Sequence, residues 1–248
     1  MDTWRLLSLQ TKKAYMNMAI DEAILNELII GKVPSTLRFY LWSPSAVSIG
    51  RNQNPGNQVH IDSCKQQGVD IVRRISGGGT VYHDFEGEVT YSVVARTSDF
   101  GTGDMVSVYF KIYTAITDAL RLLGVAADFS GGDAKNCPNL TVNGKKISGS
   151  SQIITHGVVL QHGTLLRSVD LPKMFTLLKL NDVSCTQAAE IAKRKITSIQ
   201  DELGHNVAPE TIANALAQGF RAILKIQLEE GELTPSEVEN ANKLYIEK

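Results

Sequence analysis

The chain has 248 residues, of which 43% are hydrophobic and 21% are charged, a composition typical of globular proteins. Lys and Arg total 25 against 26 Asp and Glu, which gives a formal net charge of −1. This balance argues against non-specific nucleic-acid binding, which requires an excess of cations. The sequence has no run of about 18 apolar residues and no apolar segment near Met1, so we expect neither a transmembrane helix nor a signal peptide.

The cysteines bear on redox compartment and metal binding. Cys64, Cys137 and Cys185 are widely spaced and odd in number, which argues against a disulfide framework and against a zinc site. We therefore expect a cytoplasmic protein whose own side chains form no metal site.

Apolar residues at positions 20, 24, 25 and 28 share one face at helical spacing and predict the first helix. Runs rich in β-branched and aromatic residues predict the strands around it. In chain order, the predicted elements are a strand at 4–9, a helix at 17–28, strands at 37–41 and 46–50, a helix at 59–67, and strands at 70–74 and 88–95.

The longest helix is predicted at 105–123 and is ended by Gly124. Asn143-Gly144 predicts a type I′ hairpin turn, because both central residues of that turn need a positive φ. The segment 234–237, Thr-Pro-Ser-Glu, predicts a capping box. The elements predicted after Gly124 are strands at 140–142, 145–148 and 158–166, and helices near 171–179, 186–194, 209–224 and 235–246.

Hairpin and meander patterns outnumber βαβ units along the chain. We therefore expect an α/β protein in the α+β sense, with a mixed, largely antiparallel sheet flanked by helices. No repeat, low-complexity segment or linker is visible. The prediction is a single domain over residues 1–248 with a helical C-terminal segment at about 205–248.

A glycine-rich segment follows the strand predicted at 70–74. It covers residues 73–84 and reads Arg-Arg-Ile-Ser-Gly-Gly-Gly-Thr-Val-Tyr-His-Asp. Three glycines let the backbone approach a ligand and present N–H groups to anionic oxygens, and the two arginines can bind phosphate or carboxylate. Taken alone, a Gly-Gly-Gly run is more often a flexible turn with solvated arginines. The segment matches neither a P-loop nor a dinucleotide fingerprint.

Two further segments carry side chains capable of chemistry. Residues 143–152 read Asn-Gly-Lys-Lys-Ile-Ser-Gly-Ser-Ser-Gln, and a lysine fixed beside a hairpin turn can polarise an acyl carbonyl. The Ser-Gly-Ser-Ser run is either a close-packing site or a second backbone cradle. Residues 160–166 place His162 on an apolar strand. Alone, the lysine pair is more often solvated, and such a histidine is more often structural.

In combination and in this order, these segments resemble the lipoate–protein ligase A family. The helix that begins at Asn17 and the strand that begins at Leu37 are also similar to that family, and the resemblance covers roughly residues 4 to 225. It implies the α/β catalytic fold that lipoate ligases share with octanoyltransferases and biotin–protein ligases.

The resemblance also implies a reaction, and we expect a lipoate–protein ligase. Such an enzyme activates lipoate with ATP and Mg²⁺ to lipoyl-adenylate. It then transfers the lipoyl group to a lysine of an acceptor lipoyl domain, on a 2-oxoacid dehydrogenase E2 subunit or the glycine cleavage carrier protein. An apolar slot for the lipoyl chain should lie beside the glycine turn.

The resemblance implies roles for individual residues. Lys146 is expected to be catalytic, contacting the acyl carbonyl and the α-phosphate, where a fixed ammonium stabilises developing negative charge. No base for the acceptor lysine is evident. The residues expected to bind substrate or nucleotide are Arg74, Ser76, Gly77, Gly78, Gly79, Thr80, Val81, Tyr82, His83, Lys146, Ser148, Gly149 and His162.

The main alternative is a lipoyl or octanoyl transferase that forms a thioester on Cys137 and uses no ATP. Cys137 lies nine residues before Lys146. In the cysteine-dependent transferases that this chain resembles, the nucleophile lies further upstream, and an extra arginine tends to replace part of the plain glycine run. Both departures favour the ligase. Cys64 and Cys185 match no motif and are expected to be structural.

Two further expectations concern the C-terminal region and catalysis itself. Many ligases of the family carry an accessory C-terminal domain for which this chain has no room, so a separate small accessory subunit is a possible partner. A non-catalytic lipoate-binding protein is the remaining alternative. Intact Arg74, triple glycine and Lys146 argue against it.

Overall fold

The computed structural model describes residues 2–101, 103–130, 139–180 and 183–247. The strands in this part of the chain are β1 (Thr3–Lys12), β2 (Thr36–Trp42), β3 (Ala46–Ile49), β4 (Asp70–Arg73), β5 (Val81–His83), β6 (Glu88–Arg96), β7 (Asp128–Ser130), β8 (Asn139–Val142), β9 (Lys145–Thr155), β10 (Val158–Leu166) and β11 (Gln227–Glu230). The helices are α1 (Ala14–Ile29), α2 (Pro55–Gln58), α3 (Ile61–Gln66), α4 (Met105–Leu122), α5 (Leu171–Leu177), α6 (Cys185–Lys193), α7 (Ile199–Leu203), α8 (Pro209–Leu224) and α9 (Pro235–Glu247), with a 3₁₀ turn at Thr97–Phe100.

Eight of these strands form one large sheet in the order β11-β1-β2-β6-β10-β9-β8-β7. Strand β1 runs parallel to both β2 and β11, whereas the remaining pairs are antiparallel. The expectation of a mixed, largely antiparallel sheet flanked by helices is therefore confirmed. Strands β4, β3 and β5 form a separate small sheet in that order, which the sequence patterns do not predict.

The two faces of the large sheet bury different helices. Helices α4 and α8 pack together on one face, where Ile112 and Tyr113 of α4 and Phe220 of α8 are fully buried. Helix α1 packs on the other face against β6 and β10, with Ile20 and Ile24 in contact with a cluster that includes Val94. The apolar stripe predicted for α1 is thus its buried face.

Local signals in the sequence account for several boundaries. Helix α4 begins where the Asp104 carboxylate accepts a hydrogen bond from the Ser107 N–H at 2.8 Å, and Gly124 beyond its end has a φ of 89°. Asn143 and Gly144 have φ values of 48° and 78°, as the predicted type I′ turn requires. The predicted capping box is also confirmed. The Thr234 N–H donates to the Glu237 carboxylate, and the Glu237 N–H donates to the Thr234 hydroxyl.

Other predicted elements differ from the structure. The helix predicted at 59–67 is present as the shorter α3, which begins at Ile61 because Val59 pairs in an isolated bridge with Leu178. Helix α2 before it, which Asn54 caps with Pro55 at its first position, is not anticipated. Strands β5, β7 and β11 and helix α7 are not anticipated. Strand β11 has one buried residue, Leu228, and so shows too little alternation to be recognised.

Candidate active site

A cavity of about 180 Å³ lies between the large sheet and the small sheet. Tyr40 and Trp42 of β2 and Met18 of α1 form an apolar wall, and the glycine turn at 78–79 and Lys146 of β9 form polar parts of the lining. The apolar slot expected beside the glycine turn is therefore present.

Arg74 holds the glycine turn in place. The residue is 5% exposed, and its guanidinium donates hydrogen bonds to the carbonyl oxygens of Gly77 at 2.8 Å and Gly79 at 2.5 Å. It also donates to the carbonyl and the hydroxyl of Ser48, at 3.2 and 3.0 Å. These N–H groups thus bind acceptors of the protein itself, and Arg74 affects the cavity by fixing the shape of the glycine turn.

The close fit of the turn depends on Gly50, a residue outside the predicted site. A Cβ at position 50 would lie 2.2 Å from the Gly78 carbonyl oxygen, which is backbone and cannot move aside cheaply. Gly78 itself has a φ of 85°, a conformation that favours glycine. The Ser151 hydroxyl of β9 donates to Gly77 at 2.8 Å and joins the turn to the large sheet.

A buried hydrogen-bond network connects the turn to α1 through His162. Nε2 of His162 lies 2.6 Å from the Ser76 hydroxyl, and Nδ1 lies 3.1 Å from the Asp21 carboxylate. A carboxylate beside Nδ1 favours the proton on that nitrogen, so Nε2 accepts from Ser76. His162 therefore fixes the position of the glycine turn relative to α1 and β10.

Asp21 is charged and buried at the centre of this network. Its carboxylate binds Arg38 at 2.7 Å and accepts a hydrogen bond from the Tyr40 hydroxyl at 3.0 Å. Burial opposes ionisation, but the Arg38 charge and the His162 contact outweigh it and hold the pKa of Asp21 below its usual value. Burial and the neighbouring Asp21 charge raise the pKa of Tyr40 well above its usual value, which keeps its hydroxyl protonated.

A second histidine, His83, lines the cavity from the small sheet. Its ring stacks on Trp42 with 4.0 Å between the ring centroids. Nδ1 contacts the Glu88 carboxylate at 2.7 Å, and Nε2 contacts the Ser48 hydroxyl at 2.8 Å. Two histidines, each between a carboxylate and a serine, thus border the cavity.

Two features set the position of Lys146: the hydrogen bonds of its backbone and the space that Gly149 leaves for its side chain. Its N–H donates to the Lys195 carbonyl at 2.7 Å, and its carbonyl accepts from the Thr197 N–H at 2.9 Å. Its side chain crosses Gly149, where a Cβ would lie 2.5 Å from Nζ. A residue larger than glycine at 149 would displace the lysine, so Gly149 sets the position of the ammonium group.

The structure brings most of the residues expected from sequence to the cavity, and four of them lie outside its lining. The predicted residues that line it are Arg74, Gly78, Gly79, Thr80, Val81, His83, Lys146, Gly149 and His162. Ser76 and Gly77 act behind the lining through the hydrogen bonds given above. Tyr82 packs instead in the core of the small sheet with Val47, and Ser148 is buried away from the cavity.

Sequence reasoning missed several residues of the site. Asp21, Arg38, Ser48, Glu88 and Gly50 form its support. Asp21 and Arg38 lie in the helix and strand that resemble the ligase family, but no role was assigned to them, and the other three lie in no recognised motif. One signal was available, because an aspartate on the apolar face of a helix and an arginine within an apolar strand are expensive to bury unless they pair.

The cysteines occupy different environments. Cys64 is fully buried in the cluster under the small sheet, and burial raises the pKa of its thiol. Cys185 is exposed at the start of α6 and does not line the cavity. Cys137 lies outside the described residues, two positions before Asn139, which does line the cavity.

The described residues contain no group of three His, Cys, Asp or Glu side chains arranged to hold a metal ion. In the same part of the chain, no helix combines the length and the apolar character needed to cross a membrane.

Known structures and sequences extend the comparison. A bi-partite lipoate protein ligase from Thermoplasma acidophilum superposes with a TM-score of 0.85 at 29% identity, covering 100% of this chain and 93% of the other. A lipoate-protein ligase A bound with ATP gives 0.85 at 28% identity and covers 100% and 96%. These similarities confirm the expected lipoate ligase catalytic fold.

The sequence relatives carry a different activity in their names. Octanoyltransferase LipM of Kyrpidia tusciae is 36% identical over 98% of this chain and 95% of its own length. The LipM octanoyltransferase of Moorella thermoacetica is 34% identical over 95% and 92%. The expectation of an ATP-dependent lipoate ligase is therefore wrong, because the relatives that match nearly the whole chain are named octanoyltransferases.

A family model gives further evidence beyond these individual relatives. The model of the lipoyl protein ligase A/B catalytic domain matches residues 13–221, most of the chain and all of the cavity described above. The chain belongs to the lipoyl protein ligase A/B catalytic-domain family.

Proposed function

We propose that this protein is an octanoyltransferase. It moves an octanoyl group from a thioester on a carrier protein to a lysine of a lipoyl acceptor domain, without ATP. The observation that carries the proposal is a partly apolar cavity with a fixed lysine ammonium at its lining, in a chain related over nearly its whole length to octanoyltransferases.

Cys137 is the proposed nucleophile of the first step. Its sulfur attacks the donor carbonyl, the donor thiol leaves with a proton, and an octanoyl thioester remains on the enzyme. Cys64 is buried and Cys185 is remote from the cavity, whereas Cys137 is two residues from the cavity residue Asn139.

In the second step the acceptor lysine attacks this thioester, an amide forms, and the Cys137 thiolate leaves. The Lys146 ammonium stabilises the oxyanion of both tetrahedral intermediates, because a positioned positive charge favours the negative charge that develops on the carbonyl oxygen. The acceptor amine must lose a proton first, because the reference pKa of lysine is about 10.4. No nucleotide is consumed, since the energy of the donor thioester drives amide formation.

The cavity also supports a medium-length acyl substrate. Met18, Tyr40 and Trp42 offer an apolar wall, and the two facing threonines Thr90 and Thr164 lie in register on neighbouring strands beneath it. An unbranched chain can lie along this wall while its carbonyl stays beside Lys146.

The test is a transfer assay on an apo lipoyl domain, followed by mass spectrometry. One reaction contains an octanoylated carrier protein without ATP, a second contains lipoate with Mg-ATP, and a third contains presynthesised lipoyl-adenylate. The proposal predicts an octanoyl mass gain on the acceptor in the first reaction. Acceptor modification in the second or third reaction and none in the first would refute it.

Variants assign the roles. Cys137→Ala should abolish transfer and the enzyme-bound octanoyl adduct, while Cys185→Ala, its matched control, should behave as wild type. Lys146→Ala should lower kcat by about 100-fold or more, whereas Lys145→Ala, at the neighbouring exposed residue outside the cavity, should not.

A further inference from the structure

Ser48, His83 and Glu88 form a linear hydrogen-bond chain at the cavity wall. The Ser48 hydroxyl is 2.8 Å from Nε2 of His83, and Nδ1 of His83 is 2.7 Å from Oε1 of Glu88. All three side chains are more than nine-tenths buried, and both Ser48 and His83 line the cavity. This is the order of nucleophile, base and orienting carboxylate that activates a serine.

Groups that can only donate fix the protons along this chain. The Trp42 indole N–H donates to the Thr90 hydroxyl at 2.7 Å, so Thr90 donates its own proton to Glu88 at 2.8 Å. Glu88 then accepts from Nδ1 of His83, which leaves the lone pair of Nε2 directed at Ser48. His83 is therefore held in the tautomer that can remove the serine proton.

Arg74 favours the deprotonated form of the same serine. Its guanidinium donates to the Ser48 hydroxyl oxygen at 3.0 Å and cannot accept a proton in return. A hydroxyl has one proton and two lone pairs. With the proton given to His83 and one lone pair given to Arg74, a second lone pair stays available for a carbonyl carbon in the cavity.

The Ser76–His162–Asp21 arrangement has the same order but a different position. Its distances, 2.6 and 3.1 Å, are comparable, yet Ser76 is fully buried and does not line the cavity. It can fix the glycine turn but cannot meet an acyl group. Of the two, only the arrangement around Ser48 combines activation with access to the cavity.

We propose that Ser48 is a second nucleophile of this cavity, which gives the protein an esterase activity on unbranched medium-chain acyl esters. Ser48 Oγ attacks the ester carbonyl as Nε2 of His83 takes its proton, and the alcohol leaves with that proton. Water, as co-reactant, then attacks the Ser48 ester, giving up a proton through His83 to Oγ. The products are the free fatty acid and the restored hydroxyl.

This activity goes beyond octanoyl transfer and does not use Cys137. It takes the same acyl group in the same cavity, with water in place of the acceptor lysine. Ester hydrolysis gives a role to the chain of donors and acceptors around His83, which the transfer steps do not use.

The test uses the Cys137→Ala protein, from which the thiol route has been removed, with p-nitrophenyl octanoate as substrate. We expect continued release of p-nitrophenol. When the reaction is quenched with acid and the protein is digested, mass spectrometry should find an octanoyl ester on the peptide that contains Ser48. Adding Ser48→Ala should lower the hydrolysis rate by about 100-fold. Ser92→Ala, the control at a buried serine of the adjacent sheet that lies outside the cavity lining, should stay within about twofold of its parent.

A second measurement needs no substitution and therefore no assumption about folding. A p-nitrophenyl alkylphosphonate with an eight-carbon chain is incubated with the unaltered protein, and the modified residue is located by peptide mapping. Phosphonylation of Ser48 supports the proposal. Absence of label at Ser48, or hydrolysis by the Cys137→Ala protein that is unaffected by Ser48→Ala, overturns it. The outcome of the carrier-protein transfer assay does not alter either result.

Discussion

Replacing Gly149 by alanine separates the position of the Lys146 ammonium from the stability of the fold. A Cβ at this position would lie 2.5 Å from Nζ and 2.6 Å from Cε of Lys146. Ordinary contact between heavy atoms begins near 3.5 Å, so the end of the lysine must move by about 1 Å. The next nearest atom to this Cβ would be Oδ1 of the Asn139 side chain at 3.3 Å, which need shift by only a few tenths of an ångström, so the backbone of the site can stay in place.

The expected consequences differ in size. A displacement of about 1 Å in a catalytic group lowers the rate by about 100-fold, which corresponds to about 2.7 kcal/mol of activation free energy. The free energy of unfolding should change by less than about 1 kcal/mol, since Gly149 does not have a positive φ. The substitution should therefore impair catalysis in a protein of nearly normal stability.

The assay follows octanoyl transfer from the carrier protein to the apo lipoyl domain, together with urea unfolding of the same preparations. Gly103→Ala is the matched control, because a Cβ there would have no neighbour within 4 Å and the residue is outside the site. Wild-type kcat in a normally folded Gly149→Ala protein would refute the reasoning, as would a loss of activity that merely follows a loss of folding.

Three further substitutions test buried contacts of the fold, one of them behind the site. Asp21→Asn should lower the free energy of unfolding by about 3 kcal/mol at pH 7, because it leaves a buried guanidinium without its partner. The pKa of Asp21 is depressed in the folded state, so this difference should shrink below about pH 4, where the carboxyl of the unfolded wild-type chain takes up a proton before that of the folded protein; a gap that stays constant down to about pH 3 in urea titrations would contradict it. Gly219→Ala should lower the thermal midpoint by about 6 °C and leave the transfer rate at low temperature unchanged, since a Cβ there would lie 2.3 Å from a backbone oxygen of α4. Glu237→Gln removes the charge that binds the buried Arg5 and should reduce stability by about 3 kcal/mol, whereas Glu239→Gln, in an exposed pair, should have an effect below about 0.5 kcal/mol; equal effects in urea unfolding would be inconsistent with the burial difference.

Local patterns in the sequence were sufficient where the cause of a structure is local. The stripe on α1, the Asn143-Gly144 turn and the capping box formed by Thr234 and Glu237 each depend on residues a few positions apart, and helical periodicity or turn chemistry reveals them. The pairing of β11 with β1 joins residues more than 220 positions apart, and nothing in a short polar segment reports its partner.

The same distinction holds for the site. The glycine turn and Lys146 were recognised, since each lies in a compact motif. The support for the turn joins His162 to Ser76 and Asp21 across 86 and 141 positions, which no spacing rule reports. The ligase prediction failed for a related reason. It relied on the spacing of Cys137 from Lys146, but loop length varies with little effect on a fold, and a fixed lysine beside a glycine turn suits thioester and adenylate chemistry equally.

The pairing of β11 with β1 also bears on how the protein is made. Helix α1 carries Asp21, and its outer face is covered by α9, which contributes Ala241 and Leu244 to the cluster around Ile24. A ribosome therefore completes every strand around the cavity long before it synthesises the segment that covers α1. Until then, the nascent chain exposes an apolar helix face and an unpaired strand edge, both of which attract chaperones and proteases. Truncation before residue 227 should therefore yield a chain that is degraded in the cell, even though all the cavity residues are present.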